Sequence, residues 1–359
     1  MHKLFSPLKI RNVIFKNRIA VSPMCMYSSI DGFANDFHLV HLGSRAVGGA
    51  ALIMQEATAV SPEGRITSYD MGLWKDEQKE KLKQIVDFIH QQNTQAGIQL
   101  SHAGRKASTN RPWEGGAQIQ SDQRGGWRTL APSPIPFKEG TEKPLELDKE
   151  GIENIKRDFL SSTLRAKEIG YDVLEIHAAH GYLINQFNSP HSNQRKDEYG
   201  GSFSNRIRLL LEVTEIVRKA WGEEKPLFVR VSATDWVPEG WNNEDSIRLA
   251  VQLKELGVDL IDTSSGGNSS QATIPLSAGY QVKFAEEIKK ATGIMTSAVG
   301  IITSTSQSDE ILRNDQADLI FMAREMLRNP YFPQEAAHEL NEVVEWPVQY
   351  GRAKRSPKV

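Results

Sequence analysis

Residues 172–183, DVLEIHAAHGYL, combine a strand-like run with polar chemistry at its end. The mostly aliphatic run stops at His177, and His180 and Tyr182 follow closely. Such a run is typical of a strand covered on both faces in a parallel sheet. Because ligands bind at the carboxyl ends of these strands, we expect the two imidazoles and the phenol to face a substrate. The alternative is ordinary core or loop histidines and a packing tyrosine.

Further strand-like segments recur along the chain, with helix-like segments between most of them. The segment 148–170 begins with Asp148 and Glu150, which suit the positive end of a helix dipole. This alternation predicts an α/β fold, a (β/α)8 TIM barrel formed by residues 1–359 as a single domain. A doubly wound open sheet is disfavoured because no Gly-x-Gly-x-x-Gly unit follows a strand. The predicted strands are 18–24, 51–60, 97–102, 171–178, 227–233, 260–264, 294–300 and 318–324, and the predicted helices are 76–95, 148–170, 205–221, 244–256, 280–292, 303–313 and 326–340.

Two predicted connections are longer than turns. Residues 103–147 follow the third strand and residues 181–204 follow the fourth. Both follow strands, so both should lie over the same mouth of the barrel, where insertions act as lids and substrate walls. An extended C-terminal segment ends in basic residues at 352–359.

The composition argues against several classes of protein. Acidic and basic residues nearly balance, 45 against 43, and are mixed along the chain, which argues against nucleic-acid and membrane-surface partners. A single cysteine excludes an internal disulfide and an iron–sulfur cluster, which needs about four thiolates. No secretion signal is recognisable at the amino terminus, and no segment approaches the ~20 apolar residues of a membrane span. We expect a soluble cytoplasmic protein.

Small residues and an arginine follow the last two predicted strands. Val299 and Gly300 end the seventh strand, before a helix predicted to start at Thr303, and Ala323 and Arg324 end the eighth. In barrels of this type these two places commonly bind a phosphate, through close backbone approach, helix-start amides and a charge-assisted contact. The pattern predicts a phosphate site.

Polar side chains also occur within apolar strands, Gln99 on the third and Arg230 on the fifth. Together with a phosphate site they indicate flavin mononucleotide (FMN), because an amide can satisfy the pyrimidine edge of the ring and a guanidinium can stabilise negative charge there. Cys25, after the first strand, would lie near the redox-active part of the ring. Arg230 could instead pair with Asp235 or Glu175. Cys25 could instead be a small buried hydrophobe.

Short motifs spread over nearly the whole chain are more specific. They are LFSPL at 4–8, KNR at 16–18, SPMC at 22–25, QLSHAGRK at 99–106, HAAHGYL at 177–183, FNSP at 187–190, DEYGGS at 197–202, RE at 324–325 and NP at 329–330. In this order they resemble the Old Yellow Enzyme family of FMN-dependent ene-reductases, and more narrowly its bacterial branch that includes xenobiotic reductase A and YqjM.

The resemblance implies a reaction and its catalytic residues. His177 and His180 would hydrogen-bond the oxygen of an electron-poor alkene such as an enone, maleimide or nitroalkene. Tyr182 would protonate the α-carbon after hydride from reduced FMN reaches the β-carbon. NADPH or NADH would reduce the flavin again in a ping-pong cycle. No metal is implied.

The resemblance also implies the contacts around the flavin and the substrate. Cys25, which replaces a threonine of the yeast type, would tune the flavin potential, and Tyr27 would line the pocket. Ala323 stands where many relatives have glycine, and its methyl group narrows the backbone approach to the phosphate. The implied flavin contacts are Ser22, Pro23, Met24, Cys25, Ala57, Gln99, Arg230, Gly300, Ala323 and Arg324.

One implied contact crosses subunits. An arginine near the carboxyl terminus reaches the neighbouring active site in this branch, and Arg352 is the candidate, in a homodimer or homotetramer. The alternative for Arg352 is a solvated charge in a basic tail.

Three other classes of protein are alternatives to this interpretation. The larger reductases that append an iron–sulfur site and a second domain to the barrel do not fit one cysteine and a chain that ends after the barrel. A metal-dependent hydrolase could use His177 and His180, with Glu56 or Asp235 as a third ligand. A non-catalytic flavin-binding barrel would not need Tyr182 beside the imidazoles.

Overall fold

The computed structural model describes residues 2–354. Eight parallel strands close into a barrel in their order along the chain, so the predicted TIM barrel is confirmed. All eight predicted strand positions are occupied, with shorter bounds at most ends. The barrel strands are β1 Ile19–Val21, β2 Leu52–Ala59, β3 Gln95–Ser101, β4 Val173–Ala178, β5 Leu227–Ser232, β6 Leu260–Ser264, β7 Met295–Ala298 and β8 Leu319–Met322.

Helices lie between successive strands and surround the barrel. The predicted start of the helix over 148–170 is confirmed, because Asp148 caps it by accepting from Gly151 N at 2.7 Å. Several other helix predictions need correction. The helix predicted over 76–95 ends at Gln91, the helix predicted over 205–221 is divided at Ile207, and the helix predicted over 280–292 begins at Val282. The helix predicted from Thr303 begins two residues later, after Ser304 as N-cap, and the helix predicted over 326–340 is broken into two. The helices are α1 Asp36–Val47, α2 Lys79–Gln91, α3 Lys149–Ile169, α4 Leu183–Asn188, α5 Phe203–Arg206, α6 Arg208–Trp221, α7 Asn243–Glu255, α8 Val282–Thr292, α9 Thr305–Arg313, α10 Arg324–Arg328 and α11 Phe332–Glu339.

Helix α1, between β1 and β2, was not predicted from the sequence. Asn35 starts this helix with a capping box that it shares with His38. The buried face carries His38, His41 and Arg45 beside its apolar residues. Polar residues on the inner face weaken the hydrophobic period by which a helix is recognised.

Apolar side chains fill the barrel interior near the amino-terminal ends of the strands. Leu52, Phe228 and Phe321 belong to this inner cluster. A hairpin formed by Leu8–Ile10 and Val13–Phe15 adds further side chains to it. The amino-terminal end is therefore closed by packing, and polar groups concentrate at the other end.

The two long connections lie at that other end, as predicted. Residues 103–147 contain a pair of short parallel strands, Leu130–Ala131 and Leu145–Glu146. Residues 181–204 begin with α4. Within residues 2–354, no helix combines the length and apolar character that crossing a lipid bilayer requires.

Candidate active site

The predicted site residues gather at the carboxyl ends of the strands. The strand register places Arg230 on β5 directly opposite His177 on β4. It also places Gln99 on β3 opposite Glu175 on β4. The other predicted residues are Ser22, Pro23, Met24, Cys25 and Tyr27 after β1, Ala57 in β2, His180 and Tyr182 after β4, Val299 and Gly300 after β7, and Ala323 and Arg324 at the end of β8.

His177 is held in one tautomer. Its Nδ1 accepts from the backbone N–H of Ala179 at 3.2 Å, which assigns the ring proton to Nε2. Burial, reinforced by the positive charge of Arg230, lowers the pKa of His177 well below its usual range. The imidazole is therefore neutral near pH 7 and acts as a hydrogen-bond donor through Nε2.

Three rings form one cluster at the end of β4. The His177 centroid lies 5.2 Å from that of His180 and 4.9 Å from that of Tyr182, and both pairs are nearly perpendicular. Burial also lowers the pKa of His180 well below its usual range. Burial raises the pKa of Tyr182 well above its usual range, so the phenol keeps its proton at neutral pH.

Neighbouring loops hold the backbone of His180 in a strained conformation. Its φ of 59° lies in the left-handed region. Its Nε2 lies 2.7 Å from Ser264 Oγ. Lys106 Nζ donates to the carbonyl oxygens of His180 at 2.8 Å and of Gly267 at 2.9 Å. These contacts join the loops after β3, β4 and β6 and fix the direction of the imidazole.

A buried polar layer lies beside the ring cluster. Gln99 Nε2 donates to Glu175 Oε1 at 2.7 Å. Arg230 Nε lies 3.1 Å from Asp262 Oδ2, and Arg230 Nη1 donates to Ser22 Oγ at 3.3 Å. Burial, reinforced by the negative charge of Asp262, raises the pKa of Glu175 to about 8. Glu175 is thus mostly protonated at neutral pH, while Asp262, whose pKa burial also raises, is the carboxylate that pairs with Arg230.

The alternative that Arg230 pairs with a carboxylate is confirmed, although the partner is neither Asp235 nor Glu175. Asp235 instead accepts from Ser189 Oγ at 2.5 Å and from Trp241 N at 3.0 Å. The ion pair of Arg230 forms with Asp262, on the next strand of the barrel. Asp262 was not predicted as a site residue. It is a charged residue within an apolar strand, which is the same signal that identified Arg230.

The residues after β7 and β8 form a narrow backbone site. Gly300 has a φ of 120°, and a Cβ there would lie 2.9 Å from Gln281 Nε2. Gln281 Nε2 donates to the Val299 carbonyl oxygen at 3.1 Å. Arg324 is exposed at the start of α10, directly after Ala323. A side chain at position 300 would therefore meet Gln281 and would be strained at this φ.

Cys25 and Tyr27 lie on the segment that follows β1. The Tyr27 hydroxyl hydrogen-bonds the Cys25 thiol, and burial followed by the charges of Asp70 and Glu56 raises the pKa of that thiol. Cys25 is half-buried and stays a neutral thiol. The Tyr27 ring lies 6.0 Å from that of Trp113, in the long insertion after β3. The insertion therefore forms one wall of the mouth.

A cavity of about 670 Å³ opens beside these rings. Its lining includes Tyr27, Tyr182, Ile66 and Thr67, together with residues of the insertion such as Phe137. Lys106 Nζ lies 5.2 Å from the Tyr182 ring centroid and 4.6 Å from that of Phe137. A small organic molecule fits this volume and would contact the phenol directly.

The polar groups at the mouth fit FMN. Glu175 Oε2, Arg230 Nε and Asp262 Oδ2 are buried without a hydrogen bond of good geometry. Gln99 uses one amide hydrogen on Glu175, which leaves its carbonyl oxygen able to accept from a ring N–H. Arg230 pairs with Asp262 through Nε, and its remaining N–H groups can donate to an electron-rich ring. Gly300 and Arg324 supply the groups that a phosphate requires.

Arg352 is not brought together with the other predicted residues. It is exposed in a short 3-10 segment, Val348–Ala353. The preceding chain passes near the amino-terminal end of β3, where Asn93 Nδ2 donates to Glu345 Oε2 at 3.4 Å. The segment therefore lies outside the mouth of its own barrel.

A metal site at His177 and His180 would need a third ligand. Among residues 2–354, no group of three or more histidine, cysteine, aspartate or glutamate side chains is arranged to hold a metal ion. Glu56 instead lies 3.4 Å from His38, and Asp235 is hydrogen-bonded in a separate cluster. Neither joins His177 and His180 in a metal site.

Comparison with known proteins agrees with this geometry. Residues 3–342 match the model of the NADH:flavin oxidoreductase / NADH oxidase family. A protein of Listeria monocytogenes serotype 4a (strain HCC23) named NADPH dehydrogenase is 50% identical over 355 residues, which cover 98% of this chain and 99% of that one.

Solved structures are also similar to the chain. A structure of morphinone reductase superposes with a TM-score of 0.80 at 26% identity, covering 96% of this chain and 91% of the other. A structure of an old yellow enzyme homologue from Zymomonas mobilis superposes with a TM-score of 0.77 at 26% identity, covering 99% of both chains.

Proposed function

The chain belongs to the NADH:flavin oxidoreductase / NADH oxidase family, and from this premise we propose that it is an ene-reductase acting on electron-poor alkenes. The resemblance to Old Yellow Enzymes is confirmed, and the chain is an oxidoreductase that uses FMN with a nicotinamide coenzyme. The alkene substrates and the role of each residue are the content of the proposal.

The flavin-binding residues fall into two groups. Gln99 and Arg230 would hold the pyrimidine edge of the ring, and Ser22 to Cys25 and Ala57 would surround it. Val299, Gly300, Ala323 and Arg324 would hold the phosphate. When bound there, FMN supplies the hydride that adds to the alkene.

The two imidazoles would bind the activating oxygen of the alkene. His177 is neutral and carries its proton on Nε2, so it donates without placing a full charge beside Arg230. His180 lies at right angles to it, on a backbone held by Lys106. Donors directed at that oxygen stabilise the negative charge that develops when hydride reaches the β-carbon.

Tyr182 would complete the addition. Its phenol stays protonated and contacts both the cavity and the ring of His177. Hydride adds to the β-carbon and this proton adds to the α-carbon. The C=C bond thereby becomes a C–C single bond, and two C–H bonds form. Solvent then protonates the phenolate again.

The observation that supports this function most strongly is the perpendicular ring cluster of His177, His180 and Tyr182 beside the buried Arg230. A flavin-binding site alone would not require the cluster. Two hydrogen-bond donors beside one proton donor are what the reduction of an activated alkene needs.

Anaerobic spectroscopy tests the proposal. The purified protein should be yellow, bleach with NADPH and recover its colour with 2-cyclohexenone. Bleaching without recovery by any enone, maleimide or nitroalkene would refute the ene-reductase function while leaving the flavoprotein intact. A panel that compares NADPH with NADH would establish the preferred coenzyme.

We also infer that the active site is shared between subunits of a homodimer or homotetramer. Arg352 lies outside the mouth of its own barrel, and near it the rings of Tyr331 and Tyr350 lie 6.3 Å apart beside a surface cavity. Val348, at the start of this segment, is 88% exposed, and Val343, five residues before it, is 87% exposed. Exposed apolar residues around this segment favour contact with a second copy.

A further inference from the structure

Glu56 has no role in the mechanism described above, yet β2 is distorted around it. The pairing of β2 with β3 shifts between Gln55 and Ala57, so Glu56 is an extra residue in the strand. A bulge of this kind redirects the side chain at the extra position. The Glu56 carbonyl oxygen accepts from Thr58 Oγ1 at 2.8 Å, which stabilises the irregular backbone.

The redirected carboxylate holds the segment that carries Cys25 and Tyr27. Glu56 Oε2 accepts from the backbone N–H of Met26, between those two residues, at 2.7 Å. Residues 22–29 lie in neither a helix nor a strand, so no regular ladder supports them. Tyr27 also has a φ of 49°, a conformation that costs energy unless contacts hold it.

A histidine stands behind this carboxylate. Glu56 Oε1 lies 3.4 Å from His38 Nε2. His38 Nδ1 accepts from Asn35 N at 3.1 Å and lies 3.2 Å from Asn35 Oδ1, and its Nε2 also lies 3.4 Å from Ser29 Oγ. Glu56 and His38 are 4% and 1% exposed. One carboxylate oxygen is therefore committed to α1 and the other to the segment after β1.

We propose that Glu56 is a positioning residue that fixes the segment presenting Cys25 and Tyr27 to the flavin. Its consequence for the flavin rests on the proposed function, whereas the hydrogen bonds belong to the chain itself. Glutamine is a poor replacement, because its amide has one acceptor oxygen and no charge, so Met26 N–H loses a charge-assisted hydrogen bond. A carboxylate serves the contacts to Met26 and His38 with two acceptor oxygens.

Alkylation of Cys25 tests this role. Cys25 is the only cysteine in the sequence, so iodoacetamide reports on this segment both before and after FMN is bound. In Glu56→Gln the alkylation rate should rise about tenfold or more, which corresponds to the loss of one charge-assisted hydrogen bond. The midpoint potential of the bound flavin should shift in the same variant.

Asp70→Asn is the matched control. Asp70 is buried, and its charge also raises the pKa of the Cys25 thiol. Its oxygens, however, accept hydrogen bonds from its own turn, at Ile66 and Thr67. Because the hydrogen-bond partners of Asp70 are Ile66 and Thr67 rather than Met26, the control should accelerate alkylation clearly less than Glu56→Gln does. An equal acceleration in both variants would mean that charge alone acts, and would overturn the positioning role.

A wild-type alkylation rate in Glu56→Gln would also overturn the proposal. Should that variant fail to fold, His38→Gln provides the test, because glutamine is a normal partner in the capping box of α1. It should accelerate alkylation less than Glu56→Gln would, and an unchanged rate would contradict the proposal. The apoprotein measurement stands even if no alkene is reduced, so the two proposals can fail separately.

Discussion

At the scale of single residues, burial decides the protonation of the side chains at the end of β4. It lowers the pKa of His177 and His180 and raises the pKa of Tyr182. All three groups are neutral near pH 7 as a result. Neutral imidazoles can donate hydrogen bonds beside Arg230 without like-charge repulsion, and a neutral phenol still has a proton to give.

Replacing Tyr182 by phenylalanine tests the proton donor. Tyr182→Phe should slow reoxidation of the flavin by 2-cyclohexenone by about 10²–10⁴-fold, because only this half-reaction uses the phenolic proton. Reduction by NADPH should change little. Stopped-flow absorbance measures both half-reactions, with Tyr199→Phe as control because that hydroxyl hydrogen-bonds Glu212 elsewhere. Equal slowing of both half-reactions would remove Tyr182 as the donor.

The proton on Glu175 should make stability depend on pH. The folded protein holds this proton with a pKa of about 8, against 4.5 for an ordinary glutamate. This difference in pKa stabilises the folded protein fully below about pH 4.5. The stabilisation, on the order of 2–4 kcal/mol, is lost as the pH rises from there through 8. Glu175→Gln should remove this loss. Urea unfolding at pH 5 and pH 8 measures the difference, and parallel pH profiles for the variant and the wild type would contradict it.

At the scale of elements, the catalytic loop depends on glycines in a neighbouring loop. Gly267, after β6, has a φ of 93° and approaches the backbone of His180 so closely that a Cβ would lie 2.7 Å away. A Cβ on Gly181 would likewise lie 2.2 Å from the Gly267 carbonyl oxygen. The two loops can pack only where both lack side chains.

Gly267→Ala should therefore damage the site as well as the fold. The added methyl group displaces His180, and we expect a loss of roughly 1–3 kcal/mol in stability. The KM for 2-cyclohexenone should rise about tenfold or more, the effect of losing one good hydrogen bond. Gly170→Ala is the control, because Gly170 has a φ of 102° but no neighbouring atom within 4 Å. An equal KM in the two variants would show that the loop contact is unimportant.

At the scale of the whole molecule, barrel closure brings together residues from most of the chain. Cys25, Gln99, His177 and Arg230 come from four different strand ends, yet Arg230 faces His177 directly in the register. The barrel also separates an apolar amino-terminal interior from a polar mouth. Of the predicted site residues, Arg352 lies apart from this arrangement, in the C-terminal segment Val348–Ala353.

Arg352→Ala tests whether a second subunit completes the site. If the arginine reaches a neighbouring mouth, the variant should raise the KM for alkenes about tenfold or more, as expected for a lost charge-assisted contact, and leave the thermal transition nearly unchanged. Lys354→Ala, two residues away and also exposed, should behave as wild type. Sedimentation at the assay concentration should show an oligomer. A fully active monomer would refute the shared site.

Part of this architecture could be predicted from local patterns. The apolar runs located all eight strands, and the caps at Asp148 and Gly170 located α3. α1 was missed because His38, His41 and Arg45 interrupt its apolar stripe. Their burial depends on partners such as Glu56, which are distant in sequence, and no local window contains that information.

The sequence by itself predicted the barrel, the family and the buried polar residues Gln99 and Arg230, because strand period, turn residues and motif order are local properties of a chain. The tertiary structure alone decided how those residues are paired and charged. It assigned Asp262 to Arg230, a proton to Glu175, a tautomer to His177 and the bulge at Glu56 to the segment of Cys25. These features depend on distance and burial, which exist only after the eight strands have closed.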